Sequence, residues 1–345
     1  MRKFNVAVVG ATGAVGEELF RVMDAYDFPV ENIVPLASAR SAGSSIEYKG
    51  KEYTVLELTE TCFEENNVEI AFFSAGGSIS EKFAQYAVKA GAVVIDNTSH
   101  FRMQDNVPLV IPEVNPEDIA SWKETGIIAN PNCSTIQMVL SLKPLDELYG
   151  IKRVDVSTYQ AVSGAGKAGM EELVTQMQDF FAFKLNDSAK EAFAHQIALN
   201  VIPQIDVQQP NDFTKEEMKM VNETQKIMHK EIQVAATCVR VPVLRSHSES
   251  ITVTFEDGVD VDVAEVRSSL ERFENVEVID DLANNAYPMP IISTDTDITY
   301  CGRIRKDIYA SNVVHYFNVA DQVRVGAATN SVRIALKWIE MEQCD

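Results

Sequence analysis

The chain has 345 residues, 46% of them hydrophobic and 23% charged, which is typical of a folded protein with room for two domains. Its formal net charge of −21 argues against nucleic acid and anionic membranes as partners, so an anionic ligand needs its own cluster of Arg and Lys. The five scattered cysteines include no Cys-x-x-Cys pair, so neither a disulfide framework nor a metal site is indicated, and a cytoplasmic protein is expected because no signal peptide or membrane span is evident.

The chain opens with the pattern of a dinucleotide-binding unit. The apolar run 4–9 predicts a buried strand, and 17–26 predicts an amphipathic helix. The glycine-rich turn between them suits close approach of backbone to a pyrophosphate at a helix N-terminus. A glycine-rich turn without a ligand is the alternative. We expect cofactor contacts from Gly10, Thr12, Gly13, Ala14, Val15 and Gly16.

The second predicted strand, 33–37, indicates which cofactor is bound. It runs into Ser38-Ala39-Arg40-Ser41, and no carboxylate follows until Glu47. A carboxylate at the end of this strand would bind the ribose hydroxyls of NAD, whereas arginine and hydroxyl groups suit the 2′-phosphate of NADP. We therefore predict NADP, bound by Ser38, Arg40 and Ser41; a solvated loop arginine is the alternative.

Another strand–helix–strand unit follows. Apolar runs over 68–73 and 92–96 predict buried strands, and 80–90 predicts the helix between them. The first of these strands ends in a loop of small residues, where a cofactor can lie against the backbone. Cofactor contacts are expected here from Ser74, Ala75 and Gly76.

Arg102 comes shortly after the strand 92–96, and ligands of open α/β sheets bind beyond the carboxyl ends of the strands. Arg102 is therefore placed to bind an anion, although an ordinary surface arginine is equally compatible with the pattern. Further strands over 110–115 and 127–129 would complete a sheet of six to seven strands.

Cys133 lies between the strand 127–129 and a helix-like run, 136–142. This places it in the first turn of a helix, where free N–H groups and the helix dipole favour the thiolate. A helix terminus contributes only about 0.3–2 kcal/mol, so a partner base is also expected. The alternative is a small buried hydrophobic residue.

The second half of the chain has a different pattern. The run 154–162 alternates as a strand with one packed face, and a glycine-rich loop then precedes a helix. Further strands are predicted over 233–243 and 248–255, and a helix over 263–272. We expect an α+β domain with a largely antiparallel sheet, whose flat apolar face is buried by dimerisation.

A last helix over 328–341 carries apolar residues at helical spacing and is expected to return to the first domain. The fold class is therefore α/β plus α+β. A Rossmann-type NADP-binding domain is expected over 1–133 and 322–345, and a catalytic and dimerisation domain over 134–321.

Several side chains of the second domain can support chemistry. Glu216 and Lys219 are one helical turn apart and share a face, although the pair taken alone fits an exposed salt-bridged helix better. Arg240 and His247 flank a short turn, and histidine is the side chain best suited to proton transfer near neutral pH. Gln160 at a strand end can position a carbonyl group. Packing is the alternative for Gln160, and a structural histidine with satisfied hydrogen bonds is the alternative for His247.

These motifs resemble the aspartate-semialdehyde dehydrogenase family over essentially the whole chain. The motif around Cys133 and the spacing from Arg240 to His247 are specific, whereas the first glycine motif is generic. The resemblance rests on Gly10-Ala11-Thr12-Gly13-Ala14-Val15-Gly16, Phe73-Ser74-Ala75-Gly76-Gly77, Asn130-Pro131-Asn132-Cys133-Ser134-Thr135, Gln160-Ala161-Val162-Ser163-Gly164-Ala165-Gly166, and Arg240-Val241-Pro242-Val243 through His247-Ser248-Glu249.

The resemblance implies a role for each of these residues. Cys133 would be the acylated nucleophile and His247 the acid/base. Arg240 would hold the substrate carboxylate, with Gln160 orienting the substrate. The remaining implied roles are substrate contact by Glu216, phosphate binding by Arg102, Lys219 and Asn132, and cofactor contact by Ser163, Gly164 and Gln322.

The implied reaction is the NADPH-dependent conversion of L-4-aspartyl phosphate into L-aspartate 4-semialdehyde and phosphate, in the biosynthesis of lysine, diaminopimelate, threonine and methionine. A homodimer is expected, with a tetramer as the alternative. N-acetyl-γ-glutamyl-phosphate reductase would share the fold and chemistry, but the residues Asn132 and Ser134-Thr135 around the cysteine argue against it. A non-catalytic regulator that binds NADP is the alternative outside the class of enzymes.

Overall fold

The computed structural model describes residues 2–344, and for Cys344 only its place in the last helix. Met1 and Asp345, the ends of the predicted first domain, lie outside the described residues. The chain divides into two compact units, Met1–Asn132 together with Ala327–Asp345, and Cys133–Gly326. The roles predicted for the domains 1–133 with 322–345 and 134–321 stay predictions.

The first unit alternates strands and helices, as the sequence predicts. Its elements are β1 (Phe4–Val9), α1 (Ala14–Ala25), β2 (Val30–Ala37), β3 (Ser45–Tyr48), β4 (Lys51–Thr54), β5 (Leu56–Glu57), α2 (Cys62–Glu65), β6 (Ile70–Phe73), α3 (Gly77–Lys89), β7 (Val93–Asp96), a 3₁₀ helix (Pro116–Glu124) and β8 (Ile127–Ala129).

Six of these strands form one sheet in the order β5-β2-β1-β6-β7-β8, and every pairing is parallel. Counted along the chain, this is the 3-2-1-4-5-6 order of a doubly wound dinucleotide-binding sheet. Its central strands are buried throughout, as expected when helices cover both faces. The order reverses between β1 and β6, so their carboxyl ends define the place where a ligand of this fold binds.

The predicted strand over 110–115 is wrong. An isolated bridge between Leu109 and Ala129 lies just before this stretch, and the stretch itself turns, with the N–H of Val114 donating to the carbonyl of Ile111 at 2.8 Å. Pro112 has no N–H to donate and interrupts any ladder at this point.

The second unit is built around a mixed sheet. Its elements are α4 (Cys133–Tyr149), β9 (Ile151–Gln160), a 3₁₀ turn (Val162–Ala165), α5 (Gly166–Phe181), a second 3₁₀ turn (Leu185–Asp187), α6 (Lys215–Met228), β10 (Gln233–Arg240), β11 (His247–Phe255), α7 (Val263–Arg272), β12 (Val276–Val278), a third 3₁₀ turn (Leu282–Asn284), α8 (Pro290–Ser293), β13 (Thr299–Lys306) and β14 (Val313–Ala320).

The strands of this sheet follow the order β10-β9-β11-β14-β13-β12. The three central pairings are antiparallel, and the two edge pairings, β10 with β9 and β12 with β13, are parallel. Strands β12 to β14 are not predicted from the sequence. In β13 the side-chain alternation is interrupted by Gly302, where the register also shifts.

A capping box begins α6, the helix that carries Glu216 and Lys219. The side chain of Thr214 accepts the N–H of Glu217, and the Glu217 carboxylate accepts the N–H of Thr214 at 2.7 Å. The sequence Thr-x-x-Glu therefore fixes where this helix starts, and with it the direction in which its first turn points.

The last helix, α9 (Thr329–Cys344), belongs to the first unit and follows a π-helical turn, Arg324–Ala328. Its apolar stripe is buried in the core of that unit, and the Trp338 ring packs against Phe4 of β1 with centroids 6.2 Å apart. The last helix therefore packs on β1 within this unit.

Candidate active site

The glycine-rich turn lies at the switch point of the first sheet. Gly10 has φ of +89°, and a Cβ there would come within 3.1 Å of Ser74 and Ala75, the residues that follow β6. A Cβ at Gly16 would lie 2.1 Å from the Gly10 carbonyl oxygen, so helix α1 can approach the turn only with glycine at this position. These close approaches fit a nicotinamide dinucleotide, whose pyrophosphate needs bare backbone beside a helix N-terminus.

The other predicted cofactor residues of this unit follow neighbouring strands. Ser38 to Ser41 form a turn after β2, in which the Ser41 N–H donates to the Ser38 carbonyl at 2.9 Å and the Arg40 side chain is exposed. Gly76 has φ of +98° with open space beside it. The structure thus places Ser38–Ser41 and Ser74–Gly76 at the carboxyl edge that also holds the glycine turn, and their contacts with a cofactor stay predictions.

Two residues predicted to bind phosphate are buried in the first unit. Arg102 is 7% exposed, and its Nη2 donates to the Asn97 carbonyl at 2.7 Å, so the guanidinium is fixed beside the end of β7. Asn132 is 5% exposed. Their roles in phosphate binding stay predictions.

The register of the second sheet brings Gln160, Arg240 and His247 to one edge. Gln160 at the end of β9 pairs with Arg240 at the end of the parallel strand β10. Strand β11 begins at His247, and it runs antiparallel to β9, with Ser248 opposite Tyr159. The same edge receives the end of β14, where Ala320 pairs with His247. Residues that are far apart in the chain therefore meet because their strands begin or end there.

Cys133 is the first residue of α4, as predicted. Among the described cysteine side chains, Cys62, Cys238 and Cys301 are buried, whereas Cys133 is partly exposed. Burial raises the pKa of each of the other three thiols, which disfavours their thiolates. Cys133 is thus the accessible thiol of this group, and it lies at the end of a helix that favours an anion.

Gln160, Glu216 and Lys219 form a hydrogen-bonded chain beside the start of α4. The Gln160 Nε2 donates to Glu216 Oε1 at 3.2 Å and to the hydroxyl of Ser134, the residue after Cys133. Lys219 Nζ donates to Glu216 at 2.9 Å and to Asp206 at 3.0 Å. Burial opposes the charge on Lys219, but the carboxylates of Glu216 and Asp206 outweigh it and raise the pKa of the lysine.

Arg240 and His247 meet at Gly164. Arg240 is 7% exposed, and its Nη1 donates to the Ala161 carbonyl at 2.6 Å. A Cβ at Gly164 would lie 2.7 Å from Arg240 Nη1 and 3.4 Å from His247 Nε2. Burial lowers the pKa of Arg240. Glu216 and Cys133 oppose this shift, which shows that these two residues are close enough to influence the charge of the guanidinium. Gly164, predicted as a cofactor residue, thus also leaves room for these two side chains.

Gln322 and Ser163 are linked to each other. The Gln322 amide accepts the Ser246 N–H at 2.8 Å through Oε1 and donates to the Ser163 hydroxyl through Nε2. Gln322 is 4% exposed and therefore ties the end of β14 to the residues that precede His247. Its predicted contact with the nicotinamide stays a prediction.

Sequence reasoning missed two features of this site. A Cβ at Gly326 would lie 2.6 Å from Cys133 Cβ, so the π-helical turn packs directly on Cys133. Glu249 is fully buried two residues after His247 on β11. The alternation of β11 was a usable signal for Glu249, because it places this carboxyl on the inward face with Ile251. No spacing rule identifies Gly326.

A polar network near Glu249 joins α4 to β11 and β14. Gln137 of α4 donates through Nε2 to the Asn318 side chain at 2.9 Å and to the His247 carbonyl at 3.3 Å. Asn318 returns a hydrogen bond to the Gln137 carbonyl at 3.1 Å. Burial raises the pKa of Glu249 well above its ordinary value, against the opposing effect of the Asn318 and Gln137 amides.

Replacing Glu249 by glutamine should stabilise the protein increasingly as the pH rises. The folded-state pKa of Glu249 is above its unfolded-state value, so the stability of the wild type falls as pH rises through the range between these values. Glutamine keeps the shape of the neutral acid and does not titrate. The gain in melting temperature, measured by calorimetry, should be larger at pH 8 than at pH 5. The exposed Glu271→Gln serves as control; equal gains at both pH values for Glu249→Gln would contradict the prediction.

Comparisons with known proteins match both units. Residues 5–122 match the family model described as semialdehyde dehydrogenase, NAD binding domain, and 142–325 match that described as semialdehyde dehydrogenase, dimerisation domain. An aspartate-semialdehyde dehydrogenase of Campylobacter jejuni is 64% identical over 341 residues, 99% of each chain. The crystal structure of aspartate semialdehyde dehydrogenase II complexed with ASA from Vibrio cholerae has a TM-score of 0.94 at 45% identity over 99% of each chain. The enzyme of Candida albicans, solved with NADP, has a TM-score of 0.74 at 25% identity over 98% of each chain.

The parallel nucleotide-binding sheet, the second mixed sheet and these matches define a semialdehyde dehydrogenase, an oxidoreductase that uses a nicotinamide cofactor. The predicted fold class is confirmed. The chain belongs to the aspartate-semialdehyde dehydrogenase family, which confirms the resemblance found in the sequence. Over the described residues, every helix is too short or too polar to cross a membrane.

Proposed function

We propose that the chain converts L-4-aspartyl phosphate into L-aspartate 4-semialdehyde and phosphate with NADPH, the step that leads from aspartate toward lysine and diaminopimelate, threonine and methionine. The observation that carries this proposal is the gathering of Gln160, Arg240 and His247 at one sheet edge of the unit that begins with Cys133. The name of the Campylobacter jejuni relative, at 64% identity, supports the choice of substrate.

Cys133 is the nucleophile of the proposed reaction. Its thiolate attacks the acyl phosphate, phosphate leaves, and the substrate is held as a thioester. The nicotinamide, when bound, supplies the hydride that reduces this thioester. The carbon–sulfur bond then breaks, which releases the aldehyde and restores the thiolate. The partial exposure of Cys133 at the start of α4 supports this role, because a nucleophile must be accessible and anionic.

Arg240 and Glu216 are the proposed substrate anchors. A buried guanidinium binds a carboxylate strongly, since both partners are shielded from water. The Glu216 carboxylate, held by Gln160 and Lys219, offers the opposite charge for the amino group of an amino-acid substrate. Gln160 orients the substrate beside them.

The phosphate of the substrate needs cations of its own in a chain with a net charge of −21. We propose Arg102, Asn132 and Lys219 for this purpose. Lys219 stays charged because of its two carboxylate neighbours, which supports the assignment.

The proposed cofactor is NADP. Arg40 is exposed in the turn after β2, where NAD-binding chains carry a carboxylate, and the Candida albicans structure contains NADP. Replacing Arg40 by alanine should weaken NADP binding about 10- to 100-fold, because a hydrogen-bonded charge contributes about 1.5–3 kcal/mol, and leave NAD binding unchanged. Fluorescence titration with both cofactors measures this. Equal weakening for NADP and NAD would show that Arg40 does not bind the 2′-phosphate.

The proposed reaction is tested with three substrates in parallel: aspartate semialdehyde, N-acetylglutamate semialdehyde and glyceraldehyde 3-phosphate. Reduction of NADP should require phosphate and should be fastest with aspartate semialdehyde. Faster turnover of N-acetylglutamate semialdehyde would indicate an N-acetyl-γ-glutamyl-phosphate reductase instead. NADP binding without turnover of any substrate would indicate a regulator.

A homodimer is the proposed assembly. The outer face of the second sheet exposes Tyr159, whose ring lies 6.1 Å from that of Phe317, and the segment after α5 exposes Phe183. Apolar groups of this kind are characteristic of an interface between subunits. The family model matched to 142–325 is described as a dimerisation domain, which supports the proposal. A tetramer and a cytoplasmic location stay predictions.

A further inference from the structure

Residues 188–201, which we call the strap, lie against α5 and form neither helix nor strand. Backbone N–H groups in such a segment need partners outside regular structure. The Glu172 carboxylate of α5 accepts the N–H groups of Glu191 and Ala192 at 2.7 and 2.6 Å. A side chain of α5 therefore fixes the strap backbone immediately before Phe193.

Gln176, one turn further along α5, binds the strap on both sides of Phe193. This side chain is fully buried. Its Oε1 accepts the N–H groups of Ile197 and Ala198 at 2.9 and 3.0 Å, and its Nε2 donates to the Ala189 carbonyl at 3.0 Å. Because a buried amide that loses such partners is left unsatisfied, these bonds hold the strap in one conformation.

The end of the strap is joined to the backbone of Arg240. Ile202, the residue that follows the strap, forms an isolated antiparallel bridge with Arg240 at the end of β10. The N–H of each residue donates to the carbonyl of the other at 2.9 Å. The strap is thus fixed to α5 at one end and to Arg240 itself at the other.

These bonds place the Phe193 ring against the Arg240 guanidinium. Arg240 Cζ lies over the ring, 5.9 Å from its centroid, within the distance at which an aromatic face attracts a cation. A Cβ at Gly169 would lie 3.1 Å from Phe193 Cζ, so α5 accommodates the ring through a glycine. Phe193 and Arg240 both line a cavity of about 340 Å³, which also has Asp206 in its wall.

The ring restricts the guanidinium where hydrogen bonds do not. Nη1 of Arg240 is held by the Ala161 carbonyl, which leaves the plane of the guanidinium free to rotate about that bond. An aromatic ring packed on the cation opposes this rotation and keeps water from one side. A hydrogen bond between ions is stronger where water is excluded, so the ring favours binding of an anion by Arg240.

We propose that Phe193 is a positioning residue for Arg240, and that the strap holds its ring on the guanidinium so that Arg240 binds the substrate carboxylate tightly. This inference rests on the proposed function, which makes Arg240 the anchor of that carboxylate. Phe193 acts through Arg240 and takes no part in bond making or breaking. Its loss should therefore weaken substrate binding and leave the chemical steps intact.

Steady-state kinetics of Phe193→Leu and Phe193→Tyr provide the first test. Leucine keeps an apolar side chain but removes the aromatic face, so KM for aspartate semialdehyde should rise about 5- to 30-fold, the range of a cation–π contact shielded from water. The values of kcat and of KM for NADP should stay near those of the wild type. Tyrosine keeps the ring and should restore the wild-type KM. An unchanged KM in Phe193→Leu, or a fall in kcat instead, would overturn the proposal.

The role of the strap is tested with Glu172→Ala, which frees the N–H groups that precede Phe193. This change should raise KM for aspartate semialdehyde, and combining it with Phe193→Leu should add nothing further, because both act through the same ring. The control is Glu171→Ala, an exposed neighbour on α5, which should keep the wild-type KM. If the two effects add fully, then the strap does not act through Phe193.

A measurement that does not depend on turnover is the rate at which phenylglyoxal modifies Arg240, followed by mass spectrometry of the whole enzyme without substrate. The exposed Arg303 serves as the reference within each sample. Modification of Arg240 relative to Arg303 should be several-fold faster in Phe193→Leu than in the wild type, and equal ratios would overturn the proposal. Failure of the wild type to turn over aspartate semialdehyde would instead refute the proposed function, and the modification ratio would then decide whether Phe193 controls Arg240.

Discussion

Replacing Cys133 by serine should abolish turnover while leaving NADP binding intact. A serine hydroxyl has the size of the thiol but is not ionised near neutral pH, and the helix terminus, which supplies at most about 2 kcal/mol, cannot ionise it. Removal of a nucleophile lowers kcat by at least about 10⁴-fold in enzymes that form covalent intermediates. Steady-state kinetics and fluorescence titration with NADP measure the two quantities.

The matched control is Cys62→Ala in the first unit, where Cys62 is buried and donates to the Thr59 carbonyl at 3.1 Å. This variant should lose some stability and keep its activity. Mass spectrometry of the wild type with acyl phosphate should locate the adduct on the peptide that contains Cys133. Substantial turnover by Cys133→Ser, or an adduct on another residue, would refute the thioester mechanism.

The first unit could be predicted from the sequence because its signals are local. The run Phe4–Val9, the glycine turn and α1 are consecutive, and their order alone defines a dinucleotide-binding unit. The buried strands β6 and β7 are likewise continuous apolar runs. The error over 110–115 arose because an apolar run was taken as a strand although Pro112 interrupts it.

The candidate site could be predicted only as a set of residue types. Gln160 and Arg240 are neighbours because β9 and β10 pair in parallel, whereas the pattern favoured an antiparallel sheet. The pairing of β11 with β14 places Ala320 beside His247, and β14 was not predicted at all. Register depends on long-range pairing, which a single sequence does not encode in its local spacing.

The burial and the hydrogen-bond partners of each side chain also depend on contacts that no motif contains. The motif contains a histidine, which suggests proton transfer, but it does not show that the ring is buried or that its Nδ1 accepts the Ala161 N–H. Lys219 was predicted on the same face as Glu216, and the 2.9 Å contact confirms this. Its second partner, Asp206, comes from an irregular segment and has no sequence signal.

Replacing Gly326 by alanine should lower kcat about 100-fold without changing the affinity for NADP. The new Cβ would lie 2.6 Å from Cys133 Cβ and 2.9 Å from Cys133 Cα, closer than carbon atoms approach without bonding. Because one of these atoms is backbone, the clash is relieved only by moving the start of α4 or the π-helical turn. A shift of about 1 Å in a reacting group costs about 10²-fold in rate. The rate at which iodoacetamide alkylates Cys133 should change as well.

The matched control is another glycine-to-alanine change in the same unit. Gly258 is exposed with φ of +90° and open space around it, so alanine there strains the backbone and lowers stability by about 1 kcal/mol without touching the site. Gly258→Ala should therefore lower the melting temperature and keep the wild-type kcat. Gly326→Ala should lower kcat even at a temperature where the variant is fully folded. If both variants lose stability and both keep the wild-type kcat and alkylation rate, then the turn at Gly326 packs against Cys133 without positioning its sulfur.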